Sequence, residues 1–321
     1  MTLALVSADE VPAASASPFL KWAGGKRQLL PQIRRFYPSA FTEYAEPFLG
    51  SGAVFFDLAG RGLLDGKRAL LMDSNPDLVA CYAAVRDHVD QVLEHLRRLE
   101  VGHRSGGSRF YYGVRDERFN PIRRSLARER AGGLAGDAEL AAMMIYLNRT
   151  CFNGLFRLNA KGDFNTPAGR YANPRIRDEA NLRNVSAALR ARGVELRLGD
   201  FSSVTELTHP GAFVYFDPPY APISRTANFT SYTAMGFSDA RQRKLRDLAI
   251  TLAERGSTVL LSNSVVPLTT RLYETSRKAR RAGLRAHRVP ARRAINCDAS
   301  SRGAVDEYLV SNVAPVEMDG R

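Results

Sequence analysis

Apolar residues along this chain come in short continuous runs separated by longer amphipathic stretches. TEYAEPF (42–48), RALLMD (68–73), VELRL (194–198), AFVYF (212–216), STVLLS (257–262) and EYLVSN (307–312) each read as a strand. Apolar positions recur at helical spacing from about Gly52, over 76–100, and from about Ser238 to Arg255. Strands alternating with helices predict a parallel-rich α/β sheet covered on both faces. The rhythm breaks between about 77 and 177, where helical stretches and polar loops run without a buried strand. That interval reads as a helical insert. It leaves an α/β unit over 19–76 and 178–321, preceded by a leader at 1–18. The leader is small, polar and without period, and is expected to be disordered.

Composition narrows the class. A chain of 321 residues that is 45% hydrophobic can bury a sizeable core unaided. Cys81, Cys151 and Cys297 stand far apart with no C-x-x-C pair. This argues against a disulfide framework or a structural zinc, so no metal is expected, and it fits a reducing cytoplasm. No apolar run reaches the roughly 18 residues of a membrane span. The N-terminus lacks the basic start and apolar core of a secretory signal.

Charge changes the picture more. Lys and Arg number 46 against 33 Asp and Glu, a net +13, and only six of the 46 are Lys. A GC-rich genome would explain the preference for Arg but not the excess of positive charge. Two segments hold that excess: 77–177 has 17 basic and 11 acidic side chains, and 270–303 has 10 basic and 2 acidic. Two basic segments flanking a near-neutral remainder predict a cationic groove for a polyanion, nucleic acid first.

The sharpest chemical signal is Asp217-Pro218-Pro219-Tyr220, directly after AFVYF. The carboxyl end of a parallel strand is where α/β sheets bind ligands. Two prolines stiffen the backbone and remove two N–H donors, leaving a carboxylate and carbonyls as acceptors. Such a corner suits a substrate amine, whose lone pair is freed once its hydrogens are held, and Tyr220 offers a face for stacking a base. A second signal is Glu46-Pro47-Phe48-Leu49-Gly50-Ser51-Gly52, between a strand and a helix. Gly50 and Gly52 permit close backbone approach to a ligand. The loop alone also fits a structural turn, but Asp73 ends the next strand, at a spacing suited to ribose hydroxyls. Lys21-Trp22-Ala23-Gly24-Gly25-Lys26 lacks the Walker spacing, which excludes a phosphate loop and leaves Lys26 for a ligand carboxylate beside Trp22. Asp200 and Phe201 follow VELRL and suit an exocyclic amine and a ring.

The order of these motifs resembles the Dam-type (D12 class, alpha group) site-specific DNA adenine-N6 methyltransferases. The resemblance rests on FLKWAGGK (19–26), EPFLGSGAVFF (46–56), DSNPDLV (73–79), YLNRTCFNGLFRLNAKGDFNTPAGRY (146–171), GDF (199–201), VYFDPPY (214–220) and RRAINCDASSRGAVDEYLVSN (292–312), nearly the whole chain after the leader. It implies a Rossmann-like methyltransferase sheet with S-adenosyl-L-methionine as donor and an insert that recognises the target in double-stranded DNA. Trp22, Lys26, Phe48, Gly50, Gly52, Asp73, Asp200, Phe201 and Asp217 would hold the cofactor, with Lys26 near its carboxylate. Asp217, Pro218, Pro219 and Tyr220 would receive a flipped adenine. In the DNA-reading block, Asn153 and Leu155 would lie near the flipped or neighbouring base and Arg157 would read guanine. Leu155 and Pro167 would meet a thymine methyl, and Arg170 would clamp phosphate. Phe152 stands where some relatives carry Tyr, so only stacking or wedging is expected of it. Arg292 and Arg293, in a segment that resembles a family hairpin along the DNA, would make phosphate contacts. Several family members methylate GATC, the natural first expectation here. A cognate restriction endonuclease is a candidate partner, and a monomer is the expected state.

Three other readings share much of this chemistry. Cytosine-N4 enzymes usually carry Ser in place of Asp217, and protein glutamine methyltransferases usually carry Asn without a large basic insert. RNA adenine suits D-P-P-Y equally. A catalytically dead DNA-binding regulator of the same fold is the reading outside enzymology.

Overall fold

Every residue of EYAE (43–46) and FVYF (213–216) is buried, as strands flanked by strands and covered above and below require. The computed structural model describes residues 15–129, 136–221, 237–292 and 304–316. Strands β1 (Glu43–Glu46), β2 (Arg68–Asp73), β3 (Val194–Leu198), β4 (Phe213–Phe216), β5 (Thr258–Ser264), β6 (Arg285–Arg292) and β7 (Ala304–Ser311) form one sheet in the order β3-β2-β1-β4-β5-β7-β6. The first five are parallel, while β7 runs antiparallel to β5 and β6. The helices are α1 (Leu30–Arg34), α2 (Ala53–Gly60), α3 (Pro76–Asp87), α4 (Val89–Gly113), α5 (Asn120–Glu129), α6 (Ala138–Thr150), α7 (Glu179–Leu189), α8 (Val204–Leu207), α9 (Asp239–Glu254), α10 (Pro267–Thr269) and α11 (Arg277–Arg281).

Alternation within the strands builds two cores. Tyr44, Ala69, Leu71, Phe213 and Tyr215 point to one face, and Ala45, Leu70, Met72, Val214 and Phe216 to the other. The first core continues without a break into the helical segment after β2, taking in Leu78, Leu96, Tyr111 and residues Leu140–Leu147 of α6. Local signals set the helix starts. Asn75 caps α3 by accepting from the backbone N of Asp77 and Leu78, with Pro76 behind it, and Ser238 caps α9 through the N–H of Arg241. A six-residue π-helical stretch, Val114–Phe119, joins α4 to α5.

The chain winds from β1 outward through β2 to β3, then returns to β4 on the other side of β1. The order therefore reverses between β1 and β4, and the crevice beyond their carboxyl ends is the switch point of the sheet. Glu46 and Phe216 end the two strands, so the loops that start at Pro47 and Asp217 are neighbours there.

Two expectations change. Residues 15–18 belong to the ordered chain rather than to a disordered leader: Ser17 donates its N and Oγ to Asn181 Oδ1 (2.9 and 3.0 Å) and accepts back from Asn181 Nδ2 (2.9 Å). Residues 1–14 lie outside the described residues. The pattern also missed β6, RAHRVPAR (285–292), an edge strand that exposes Arg285 and Arg288 and tolerates Pro290 because one side is unpaired.

Candidate active site

The corner read from D-P-P-Y forms at the switch point. Asp217 Oδ1 sits 2.7 Å from Lys26 Nζ and accepts from Ser262 Oγ at 2.8 Å. Lys26 is buried, donates also to the Gly24 carbonyl, and lies 4.6 Å from the centre of the Tyr220 ring. Tyr220 donates its hydroxyl to Glu307 Oε2 at 2.7 Å. Burial pushes the Asp217 carboxyl up, opposed by the Lys26 ammonium and the Ser262 hydroxyl. Burial likewise raises the Tyr220 phenol well above its ordinary value. No described residue donates to the Pro218 carbonyl. A charged nitrogen thus already occupies the acceptor corner over an aromatic face.

The glycine loop is held from three sides. Gly50 adopts φ +48, where a Cβ would come within 3.1 Å of Trp22 Cδ1. Its N–H donates to Asp73 Oδ2 (3.1 Å), and its carbonyl accepts from the Tyr82 hydroxyl (3.1 Å). Asp73 Oδ1 accepts from Asn75 N (2.9 Å). A carboxylate has about four lone-pair sites, so Asp73 keeps acceptor capacity beyond its backbone bonds. Gly52 is also left-handed, at φ +67, beside Phe56 and the Tyr82 hydroxyl. Just before Pro47, Glu46 is 2% exposed and burial pushes its carboxyl up to about 8, with Asp217 and Asp73 adding to the rise.

Asp200 and Phe201 stand beside this loop. Phe201 stacks on Phe48 with centroids 5.1 Å apart, and the Arg241 guanidinium covers Phe201 at 4.9 Å. Arg241 pairs with Asp200, whose other oxygen accepts from Ser202 N (3.0 Å). Those two partners outweigh burial and hold the Asp200 carboxyl low. Arg241 had no signal in the sequence beyond its place in an amphipathic helix.

Residues 150–170 form a narrow loop with antiparallel bridges at Cys151–Ala168 and Leu158–Phe164. Cys151, Phe156, Phe164 and Thr166 turn inward, whereas Phe152, Asn153, Arg157, Pro167 and Arg170 are exposed and Leu155 is half-buried. Asn153 is the one non-glycine residue at positive φ (+55) among the described residues. Arg157 donates its Nε to Asn165 Oδ1 at 2.9 Å. The loop is braced from behind: Tyr111 and Arg115 donate to the Thr166 carbonyl (2.8 and 3.0 Å), and buried Asn120 bonds both the N and O of Phe164. Asn148, 2% exposed, exchanges two bonds with the Lys21 backbone (2.8 and 2.7 Å) and donates to the Gly154 carbonyl (3.0 Å). Trp22 stacks on Phe156 at 5.6 Å. The segment 21–26 and the loop 150–170 are therefore fastened to each other.

In the second basic segment, Arg288 pairs with Glu274 and Lys278 with Asp247. Arg292 ends β6, while Arg293 and the turn CDASSRG (297–303) lie outside the described residues. No described helix is long and apolar enough to cross a membrane.

Sequence reasoning missed Ser262, Glu307, Asn148 and Asn165 as members of this site. Ser262 had a usable signal, being a hydroxyl at the carboxyl end of a buried strand next to AFVYF.

The model of the D12 class N6 adenine-specific DNA methyltransferase family matches residues 22–295. The Type II methyltransferase M.MjaIII of Methanocaldococcus jannaschii is 40% identical over 306 residues, 92% of this chain and 98% of its own. The Type II methyltransferase M1.LlaDCHI of Lactococcus lactis subsp. cremoris is 38% identical over 295 residues, 92% and 95% of the two chains. The DNA adenine methylase of Escherichia coli K12 is 36% identical over 291 residues, 91% and 93% of the two.

Proposed function

Because the chain belongs to the D12 class N6 adenine-specific DNA methyltransferases and methylates adenine in DNA, we propose that S-adenosyl-L-methionine is its donor and residues 217–220 its reaction corner. The donor set fits that molecule. Asp73 keeps acceptor capacity for ribose hydroxyls, half-buried Phe48 backed by Phe201 gives an apolar wall, and Gly50 leaves beside Trp22 the room that a Cβ would fill. When bound, its sulfonium supplies an electrophilic methyl carbon.

One observation carries the assignment of the corner: a nitrogen donor, Lys26 Nζ, already rests 2.7 Å from Asp217 and over the Tyr220 ring. An adenine N6 takes the same place. Asp217 accepts one of its hydrogens and the Pro218 carbonyl the other, which leaves the lone pair free. Tyr220 stacks on the base, offsetting the few kcal/mol needed to evert it from the duplex. Asp217 also stabilises the positive charge that forms on N6 during transfer. The insert at 77–177 reads the site, with Arg157 on a guanine edge, Leu155 and Pro167 at a thymine methyl, Phe152 and Asn153 beside the vacated stack, and Arg170 on phosphate. GATC is the first sequence to test.

Asp217→Ala is expected to abolish methyl transfer while DNA affinity stays within about threefold, because phosphate contacts dominate affinity. Turnover within tenfold of the parent would remove the assignment. Calorimetry with sinefungin separates a live core from a dead regulator, and a nucleoside digest after labelled transfer separates DNA from RNA as substrate.

A further inference from the structure

Two prolines leave the loop 217–221 short of its own hydrogen-bond donors, and side chains from α9 and β5 make up the shortage. Gln242 Nε2 donates to the Pro219 carbonyl at 3.2 Å, and Asn263 Nδ2 donates to Gln242 Oε1 at 3.0 Å. Asn263 Oδ1 accepts from Ala221 N (3.4 Å) and Ser264 N (2.9 Å), and Ser264 Oγ donates to the Ala221 carbonyl (2.8 Å). Gln242 and Asn263 are fully buried. The ends of the relay fix the orientation of both amides: the Pro219 carbonyl only accepts and the Ala221 N–H only donates, so each amide has one workable orientation. Aligned buried amides polarise one another, and a missing Gln242 donor leaves the Pro219 carbonyl without its side-chain partner and Asn263 Nδ2 without its acceptor.

We infer that Gln242 and Asn263 are positioning residues for methyl transfer: their relay fixes the Pro219–Tyr220 peptide and thereby aims the Tyr220 ring and the Asp217–Pro218 corner. The carbonyl that Gln242 holds belongs to the same peptide plane as the Tyr220 N–H. Setting that plane sets where the Tyr220 side chain leaves the backbone, and Glu307 holds its far end. Neither amide touches the reacting atoms. The inference rests on the reaction corner proposed above.

The test uses the full chain, unmethylated plasmid DNA and single-turnover transfer of a labelled methyl group. Gln242→Met keeps the volume and removes the donor. Its rate is expected to fall about 10- to 100-fold, because small misplacements cost rate at a distance. Sinefungin affinity by calorimetry and the KM for DNA should stay within about twofold of the parent, since only the transition-state geometry is disturbed. Gln242→Glu adds a readout that a merely structural role would not move. A neutral acid can donate to the Pro219 carbonyl and accept from Asn263, whereas a carboxylate cannot donate. Its rate should therefore exceed that of the Met variant at about pH 6, where a buried acid is protonated. A Met variant within twofold of the parent rate overturns the inference. So does a Glu variant no faster than the Met variant at any pH or, if the Met variant does not fold, one whose rate relative to the parent does not rise as pH falls. If Asp217→Ala is active, the corner itself is misassigned; if that variant is dead while Gln242→Met is normal, only the relay fails.

Discussion

Replacing Glu46 with Gln is expected to remove a pH-dependent load on the fold. Glu46 closes β1 at the switch point, and its Oε2 accepts from the Tyr44 hydroxyl (2.9 Å) and from Phe55 N (3.2 Å). Burial pushes its carboxyl from an ordinary 4.5 up to about 8. A group that holds its proton more tightly when folded contributes stability that is complete below the unfolded value. That stability is lost as pH rises through the folded value. The gap corresponds to roughly 5 kcal/mol at full deprotonation, and about 3 kcal/mol of it disappears between about pH 6 and pH 9. Gln presents the same carbonyl to Tyr44 and Phe55 and does not titrate. Urea unfolding of both proteins at the two pH values should show the stability of Glu46→Gln, relative to the parent, growing by about 3 kcal/mol toward alkaline pH. Titrating groups that do not interact with Glu46 cancel in that difference. A difference that does not change with pH would mean Glu46 is ionised in the fold throughout, and the reasoning from burial would be refuted.

Gly50→Ala should cost about 1–2 kcal/mol for placing a side chain at left-handed φ, because Asp73 and Tyr82 prevent the turn from relaxing. A lower melting temperature together with weaker sinefungin binding checks this, and no change in either counts against the cradle. Arg157→Ala should lower discrimination at one guanine by about 1–3 kcal/mol, read from methylation of duplexes that differ at that base. Asn165→Ala should act in the same direction with a smaller effect, since Asn165 holds Arg157 through Nε. DNA affinity should fall steeply with salt, by about 0.9 in log affinity per log salt for each phosphate contacted. A shallow slope would argue that the basic segments face elsewhere.

The placement of the candidate residues was legible wherever residue type and local geometry coincide. Asp217 and Asp73 each follow or end a buried strand, so position alone puts them at the ligand-binding edge. Gly50 announces its own backbone conformation. What could not be read is pairing between distant segments. Lys26 reads as a partner for a ligand carboxylate, yet in this structure it rests on Asp217, 191 positions away. β6 carries too many arginines to look like a strand, because an edge position with one paired side needs few apolar residues. Gln242 left a faint mark: it shares a helix face with Leu245, Ala249 and Leu252, all buried, so a polar residue there required a buried partner.

The same two prolines account for both the legible and the hidden parts of this site. An acceptor-only corner requires that the loop give up N–H groups, and a loop without them cannot brace itself through its own backbone. The donors must then come from elsewhere in the chain, and they do: Ser262 to Asp217, Gln242 to Pro219 and Ser264 to Ala221. Ser262 and Ser264 end β5, the strand beside β4, and Gln242 lies on α9, which packs over that strand. Apart from Lys26 on Asp217, the side chains that brace the corner are thus supplied by the elements that follow D-P-P-Y in sequence. A loop stripped of donors and a neighbour rich in amides and hydroxyls are two halves of one requirement.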